Sequence, residues 1–235
     1  MSIMCQVRVL GIESLGLIAA IDRSEQVDVE YTVVNGQLLP RPVTMAQIPA
    51  WDATGTGPHS VAAEIQFCRP LVAAGAVLLG CFCEDACAGL AVVDPTFAPR
   101  LAWLAFLYVS QPYRRRGVAS ALWRSAARLA AEGGSESLYV SAVPTGSAVG
   151  FYLSRGCQLA DPVHPVLHAR EPEDIHLLCP LTENSTSTLP SLPADPGELF
   201  PSSHRTRMIG AEKFLPRRHA NLQLPLSLIN PALRG

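Results

Sequence analysis

The sequence predicts a mixed α/β or α+β fold in which one sheet carries helices on both faces. Three observations lead to this. Short apolar segments of strand length alternate with helix-length segments, turn signals separate them, and no internal repeat appears. Hydrophobic residues make up 49% of the chain and charged residues 16%, so there is enough apolar side-chain volume for a packed core.

The N-terminal part predicts a helix, a hairpin and a second helix. Residues 12–21 are apolar with a polar end and favour a helix. Residues 27–34 alternate in part, and Asn35-Gly36 follows at once, which favours a type I′ turn because both residues tolerate positive φ. Ser60 is a candidate N-cap for a helix over residues 61–73.

The middle of the chain predicts three strands in succession. Residues 77–82 and 88–93 are joined by the turn Glu84-Asp85 and are expected to pair antiparallel. Residues 101–110 form a longer apolar strand.

A helix is predicted after the third of these strands. Residues 118–131 are rich in Ala, Leu and Arg, and Gly133-Gly134 ends the segment. The remaining predicted elements are a strand at residues 137–143, a helix at 147–154 and a strand at 175–181.

Composition divides the chain near Leu181. The following residues are rich in Pro, Ser and Thr and show no sustained period. We therefore predict one domain over residues 1–181 and a disordered tail over residues 182–235.

Charge and hydropathy exclude several classes of partner. The formal net charge is -2, so no field over the whole protein would attract nucleic acid or an anionic membrane. The longest apolar run, residues 71–82, is shorter than the roughly 18 residues of a bilayer span. The N-terminus does not read as a signal peptide. The seven cysteines are scattered and odd in number, which predicts reduced thiols in a cytoplasmic protein.

The turn before residue 118 carries the features of a phosphate site. It lies between an apolar strand and a helix, whose first N–H groups lack partners and carry partial positive charge. Arg114, Arg115 and Arg116 add donors suited to phosphate oxygens, while Gly117 and Ala119 are small. A solvated basic turn and a site for nucleic-acid phosphate are the alternatives on the same residues.

Two blocks of the sequence resemble the GNAT superfamily of acyl-CoA N-acyltransferases. Arg114-x-x-Gly117-x-Ala119 is similar to that family's Arg/Gln-x-x-Gly-x-Gly/Ala. TGSAVGFYLSRGC, residues 145–157, resembles its Asn-x-x-Ala-x-x-Phe-Tyr-x-x-x-Gly-Phe, with Thr145 in place of Asn and Cys157 in place of the aromatic residue. The matching positions in this second block are Ala148, Phe151, Tyr152 and Gly156.

The resemblance implies a mostly antiparallel sheet that is splayed in a V. The strands at residues 101–110 and 137–143 would part, pantetheine would lie between them, and a backbone N–H would polarise the thioester carbonyl. The residues expected to bind acetyl-CoA are Leu107, Tyr108, Val109, Arg114, Arg115, Arg116, Gly117, Val118, Ala119 and Thr145.

The proton transfers of the expected reaction need a general acid and a general base. The resemblance makes Tyr152 the expected general acid, because a phenol is protonated at pH 7; ordinary core packing of Phe151 and Tyr152 is the alternative. The base is not identified. Its candidates are Asp22, Glu25, Glu30, Asp52, His59 and Glu64.

We predict no metal site. Cys81-x-Cys83-x3-Cys87 lacks an obvious fourth ligand, and buried or turn positions are the better interpretation. His164, His168 and His176 do not define a ligand set if Pro162 and Pro165 break any helix there.

The expected activity is direct transfer of an acetyl group from acetyl-CoA to a primary amine of a small molecule or a peptide. The alternatives are a GNAT-like domain that binds acyl-CoA as a sensor without catalysis, and an interaction module. Family members are often dimers, which makes a homodimer one expected state.

Overall fold

The computed structural model describes residues 5–181, apart from the side chain of Met45. The predicted tail, residues 182–235, and the domain boundary near Leu181 lie outside these residues or at their edge. Within residues 5–181, each helix is too short or too polar to cross a bilayer.

Strands and helices alternate along the described residues. The strands are β1 (Cys5–Leu10), β2 (Glu25–Val34), β3 (Gln37–Ile48), β4 (Val77–Cys83), β5 (Ala86–Ala98), β6 (Leu101–Val109), β7 (Ser137–Ala142), β8 (Gln158–Leu159) and β9 (Ile175–Pro180). The α-helices are α1 (Val61–Ala73), α2 (Val118–Glu132), α3 (Gly146–Leu153) and α4 (Pro165–Arg170), and 3-10 helices span Ile12–Ala20 and Gln111–Tyr113.

Seven strands form one sheet in the order β1-β4-β5-β6-β7-β9-β8. Neighbours are antiparallel except β6 and β7, which run parallel. α2 and α3 pack on one face, and the first 3-10 helix and α1 pack on the other. The predicted mixed fold, with a mostly antiparallel sheet and helices on both faces, is confirmed.

Local sequence signals account for several element ends. Asn35 and Gly36 have φ of 51° and 74° at the tip of the separate β2–β3 hairpin, as a type I′ turn requires. The Ser60 hydroxyl accepts a hydrogen bond from the Ala63 N–H at 3.1 Å and begins α1. Both predictions are confirmed.

Four elements were not predicted: β1, β8, α4 and the 3-10 helix Gln111–Tyr113. The expectation that Pro165 would break a helix was wrong. Pro165 occupies the first turn of α4, where its missing N–H would have no intrahelical partner in any case.

The expectation of reduced cysteines was also wrong for four of them. Disulfides join Cys5 to Cys83 and Cys157 to Cys179. Cys5 and Cys83 are opposite partners of β1 and β4, although 78 residues separate them, and strand pairing at that distance leaves no local signal. The cysteine pattern therefore no longer supports the cytoplasmic assignment.

Candidate functional site

The central sheet opens between β6 and β7. Their parallel pairing runs from Leu101 and Ser137 to Leu104 and Val140, and it stops there, although β6 continues to Val109. The half of β6 beyond Leu104 therefore lacks a neighbouring strand on the β7 side. This confirms the predicted V.

In β6, the backbone N–H and C=O groups of every second residue point towards the gap. The Ser110 N–H donates to the Ala88 carbonyl at 2.9 Å, so Ser110 and, two residues earlier, Tyr108 direct their backbone groups to β5. The backbone groups of Leu107 and Val109 consequently point into the V. Tyr108 also lines the cavity in this opening, but this alternation directs its backbone groups to β5 and not into the V.

A cavity of about 490 Å³ occupies the opening. Leu107 and Val109 line one side of it, Val143 lies across the gap, and the first turn of α2 closes one end. All of the residues predicted to hold a coenzyme, except Arg116, line this one cavity.

At the mouth of α2, Gly117 has φ of +85°, a left-handed conformation that an L side chain adopts at a cost. A Cβ there would meet nothing within 4 Å, which means that open space lies in front of the turn. Within the described residues, no side chain caps this helix end, so the first amides of Val118 and Ala119 are available to an anion. Arg115 lines the same cavity.

Arg114 lines the cavity, but its guanidinium is already engaged by groups of the protein. Its guanidinium donates to the carbonyls of Val109 at 3.0 Å and Ser24 at 2.7 Å, and Nη1 lies 3.8 Å from the Glu25 carboxylate. These bonds tie the segment before β2 to the end of β6. Arg116 is displaced, since it lines a separate pocket beside Glu84.

Thr145 lies in the wall of the cavity, but its hydroxyl is engaged. Oγ1 accepts from the Ala148 N–H at 3.3 Å and so caps α3, and it lies 3.2 Å from Ser147 Oγ. Ser147 also lines the cavity and offers a second hydroxyl that the sequence reasoning missed.

Tyr152 does not line the cavity. Its side chain is fully buried, with 0% exposure, and packs against Trp123 in the core cluster under α2. Phe151 lines the cavity in its place, because successive helix residues point about 100° apart. The structure therefore does not support the expected general acid.

Glu25 is the acid from the candidate set that lines the cavity. Glu30 forms an ion pair with Arg41 at 2.6 Å, and Asp52 accepts from the N–H groups of a local turn. The side chain and backbone of Ser24 hydrogen-bond to Asp22 and hold its pKa below the ordinary value, and Asp22 lies outside the lining. His59 and Glu64 do not line the cavity either.

A further charged residue, Arg23, was not foreseen. It lines the cavity and is 3% exposed. In the described part of the chain, its Nε and Nη1 have no hydrogen-bond acceptor. In the sequence, Arg23 is one of several polar residues that follow the apolar run at residues 12–21. That pattern does not indicate that its side chain is buried.

No metal ligand set assembles among residues 5–181, where no three His, Cys, Asp or Glu side chains converge. Cys83 is held in a disulfide. Burial raises the pKa of the Cys81 and Cys87 thiols to about 11, which disfavours the thiolate that a metal requires.

Residues 45–157 match the model of the acetyltransferase (GNAT) family. No curated protein matches the chain significantly.

Two solved structures share the fold. A nourseothricin acetyltransferase is 17% identical with a TM-score of 0.56, covering 76% of this chain and 99% of its own. A putative streptothricin acetyltransferase from Bacillus anthracis in complex with acetyl coenzyme A is 14% identical with a TM-score of 0.50, covering 77% and 99%. The family match and the shared fold agree with the parted strands and the open helix mouth: the chain contains an acetyltransferase domain of the GNAT family, which includes residues 45–157.

Proposed function

We propose that this protein is an acetyl-CoA-dependent N-acetyltransferase that transfers the acetyl group directly to a primary amine of a small molecule or peptide. The observation that carries the proposal is the cavity at the parted strands, with the uncapped N-terminus of α2 at its end. A fold neighbour crystallised with acetyl coenzyme A supports the same assignment.

The residues around the cavity suit coenzyme A. Backbone amides at the mouth of α2 and the guanidinium of Arg115 would hold the pyrophosphate, since the amides face open space beside Gly117 and Arg115 lines the same cavity. The backbone groups of Leu107 and Val109 would pair with pantetheine as a neighbouring strand would. The Val109 carbonyl already accepts from Arg114, so the Val109 N–H and the Leu107 groups remain for this purpose.

Acetyl-CoA supplies a thioester whose carbonyl carbon accepts the amine. A backbone N–H in the parted half of β6 would stabilise the oxyanion that forms. As the new C–N bond forms and the C–S bond breaks, sulfur leaves as the coenzyme thiolate and the amine loses one proton. Much of the rate would come from holding two substrates in line.

Glu25 is the carboxylate placed to receive that proton, or to hold the amine as an ammonium before attack. Its side chain is 19% exposed and lines the cavity, and Arg114 fixes it from one side. Tyr152 has no part in this proposal, because its side chain lies in the core.

The test is acetyl-CoA binding followed by turnover with the full chain. Acetyl-CoA should raise the Tm in a thermal-shift assay, and coenzyme A thiol should appear when a suitable amine is added. Absence of a Tm shift at saturating acetyl-CoA would contradict the proposal. A shift without thiol release from any amine would favour a non-catalytic acyl-CoA sensor.

A further inference from the structure

Arg23 combines burial with unsatisfied donors in a way that points to a ligand. The side chain is 3% exposed, and within the described residues Nε and Nη1 have no acceptor. A buried guanidinium without an anion opposes folding, because its charge has lost water and gained nothing in return. The cavity that Arg23 lines is where an anion could supply the missing bonds.

Arg23 reaches this cavity beside an aromatic side chain, from a loop whose backbone is hydrogen-bonded to Gln111 and Arg114. Its guanidinium lies 5.8 Å from the ring centre of Trp51, and Trp51 packs edge-on against Tyr108 at 4.7 Å. Trp51 and Tyr108 belong to the core cluster under α1 and the first 3-10 helix, whereas α2 covers the other face of the sheet. Arg23 therefore lies on the side from which an acceptor would approach.

A carboxylate accompanies this cation. Glu25 is the first residue of β2, two residues after Arg23 in the loop that precedes this strand, and it lines the same cavity. This part of the cavity wall therefore presents the guanidinium of Arg23 and the carboxylate of Glu25, which Arg114 also approaches at 3.8 Å.

We propose that the acceptor is an amine that also carries a carboxylate, as in a free amino acid; this rests on the proposed function. The fork of Arg23 would bind the carboxylate, and Glu25 would face the amino group. A polycationic acceptor is disfavoured, because Arg23 would face it with like charge in a buried site.

The experiment compares matched acceptors on the unaltered full-length protein. Each amino acid is assayed beside its carboxamide and beside the amine left when its carboxyl group is removed, with coenzyme A thiol release as the readout. We expect kcat/KM for the amino acid to exceed that for its carboxamide, and that for the amine without the carboxyl group, by about tenfold to a hundredfold. Charge-assisted hydrogen bonds allow a difference of this size. Equal rates across the matched set would overturn the proposal.

Two substitutions of Arg23 test whether this residue causes the preference for the amino acid. Arg23→Met should abolish it by raising KM for the amino acid, with the Kd of acetyl-CoA unchanged and without loss of Tm, because an orphaned charge has been removed. Arg23→Lys should restore part of the preference. Arg155→Met is the matched control, since Arg155 also stacks on an aromatic ring but bonds to Ser120 in α2; it should keep the preference.

The outcomes separate the two proposals. If Arg23→Met weakens acetyl-CoA binding and leaves acceptor preference intact, Arg23 serves the coenzyme and the present inference is wrong. If no amino acid is acetylated or shifts the Tm, the inference is again overturned, while a Tm shift by acetyl-CoA still supports the transferase. Failure of acetyl-CoA itself to bind counts against the transferase proposal.

Discussion

The two ends of the cavity are built from different parts of the polypeptide. The α2 end presents backbone amides behind Gly117, and its geometry depends on helix direction and one positive φ. The acceptor end presents the side chains of Arg23 and Glu25, carried on a segment that Arg114 ties to the end of β6. A backbone site is fixed by the fold, while a side-chain site changes with single substitutions, so binding of coenzyme and choice of acceptor should be separable by mutation.

The largest expected effect tests the backbone end. Gly117→Glu should weaken the Kd of acetyl-CoA at least about a hundredfold, because the new carboxylate enters the space proposed for the pyrophosphate. The strained φ of +85° adds a stability cost of about 1–2 kcal/mol. Isothermal titration with acetyl-CoA measures the first effect and thermal unfolding the second.

Gly134→Glu is the matched control for this substitution. Gly134 has φ of +82° and also has nothing within 4 Å of an added Cβ, but it lies at the far end of α2. Stability should fall by a similar amount with acetyl-CoA affinity kept within about twofold. Equal losses of affinity in both variants would show that strain, and not the site, causes the effect.

The next prediction distinguishes the structural role of Arg114 from the proposed phosphate contact of Arg115. Arg114→Met should lower the free energy of unfolding by about 2–3 kcal/mol, because the carbonyls of Ser24 and Val109 lose a charged donor. Arg115→Met should leave stability nearly unchanged and weaken acetyl-CoA binding several-fold. Chemical denaturation and titration on both variants check this, and a reversed pattern would assign the phosphate contact to Arg114.

A smaller effect is expected at the acceptor end. Glu25→Gln keeps the shape and removes the charge, and should lower kcat about tenfold with the Kd of acetyl-CoA unchanged, since a proton acceptor is lost. Steady-state kinetics at saturating acetyl-CoA provide the measurement. Loss of coenzyme affinity in this variant would mean that the two ends are not independent.

The smallest effect is expected at Tyr152. Tyr152→Phe should leave kcat within about twofold, because the phenol lies in the core and does not reach the cavity. A fall of tenfold or more, with acetyl-CoA affinity kept, would restore Tyr152 as the general acid and show that its side chain turns towards the cavity when substrates bind.

The two ends also differ in how far the sequence predicts them. The turn before α2 is contiguous, and the signals of residues 114–119 suffice to predict a strand, a turn and a helix there, which the structure has as β6 and α2. Hairpin and helix ends marked by Asn35-Gly36 and Ser60 were predicted for the same reason, because each is decided within a few residues.

Features that depend on distant contacts were not predictable in this way. The burial of Arg23, the capture of Arg114 by the Ser24 carbonyl 90 residues away, and the Cys5–Cys83 pairing are all set by tertiary packing. Tyr152 shows the same limit, since motif position names the residue but packing against Trp123 decides where its side chain points.

The gap beside β6 has a consequence for amide hydrogen exchange. Without coenzyme, the N–H groups of Leu107 and Val109 face the cavity, while Tyr108 between them is bonded to β5. Amide exchange along this strand should therefore be fast at Leu107 and Val109 and slow at Tyr108. Binding of acetyl-CoA should slow exchange at Leu107 and Val109 to a rate similar to that of Tyr108. In that state a small molecule completes the hydrogen-bond ladder of a protein sheet.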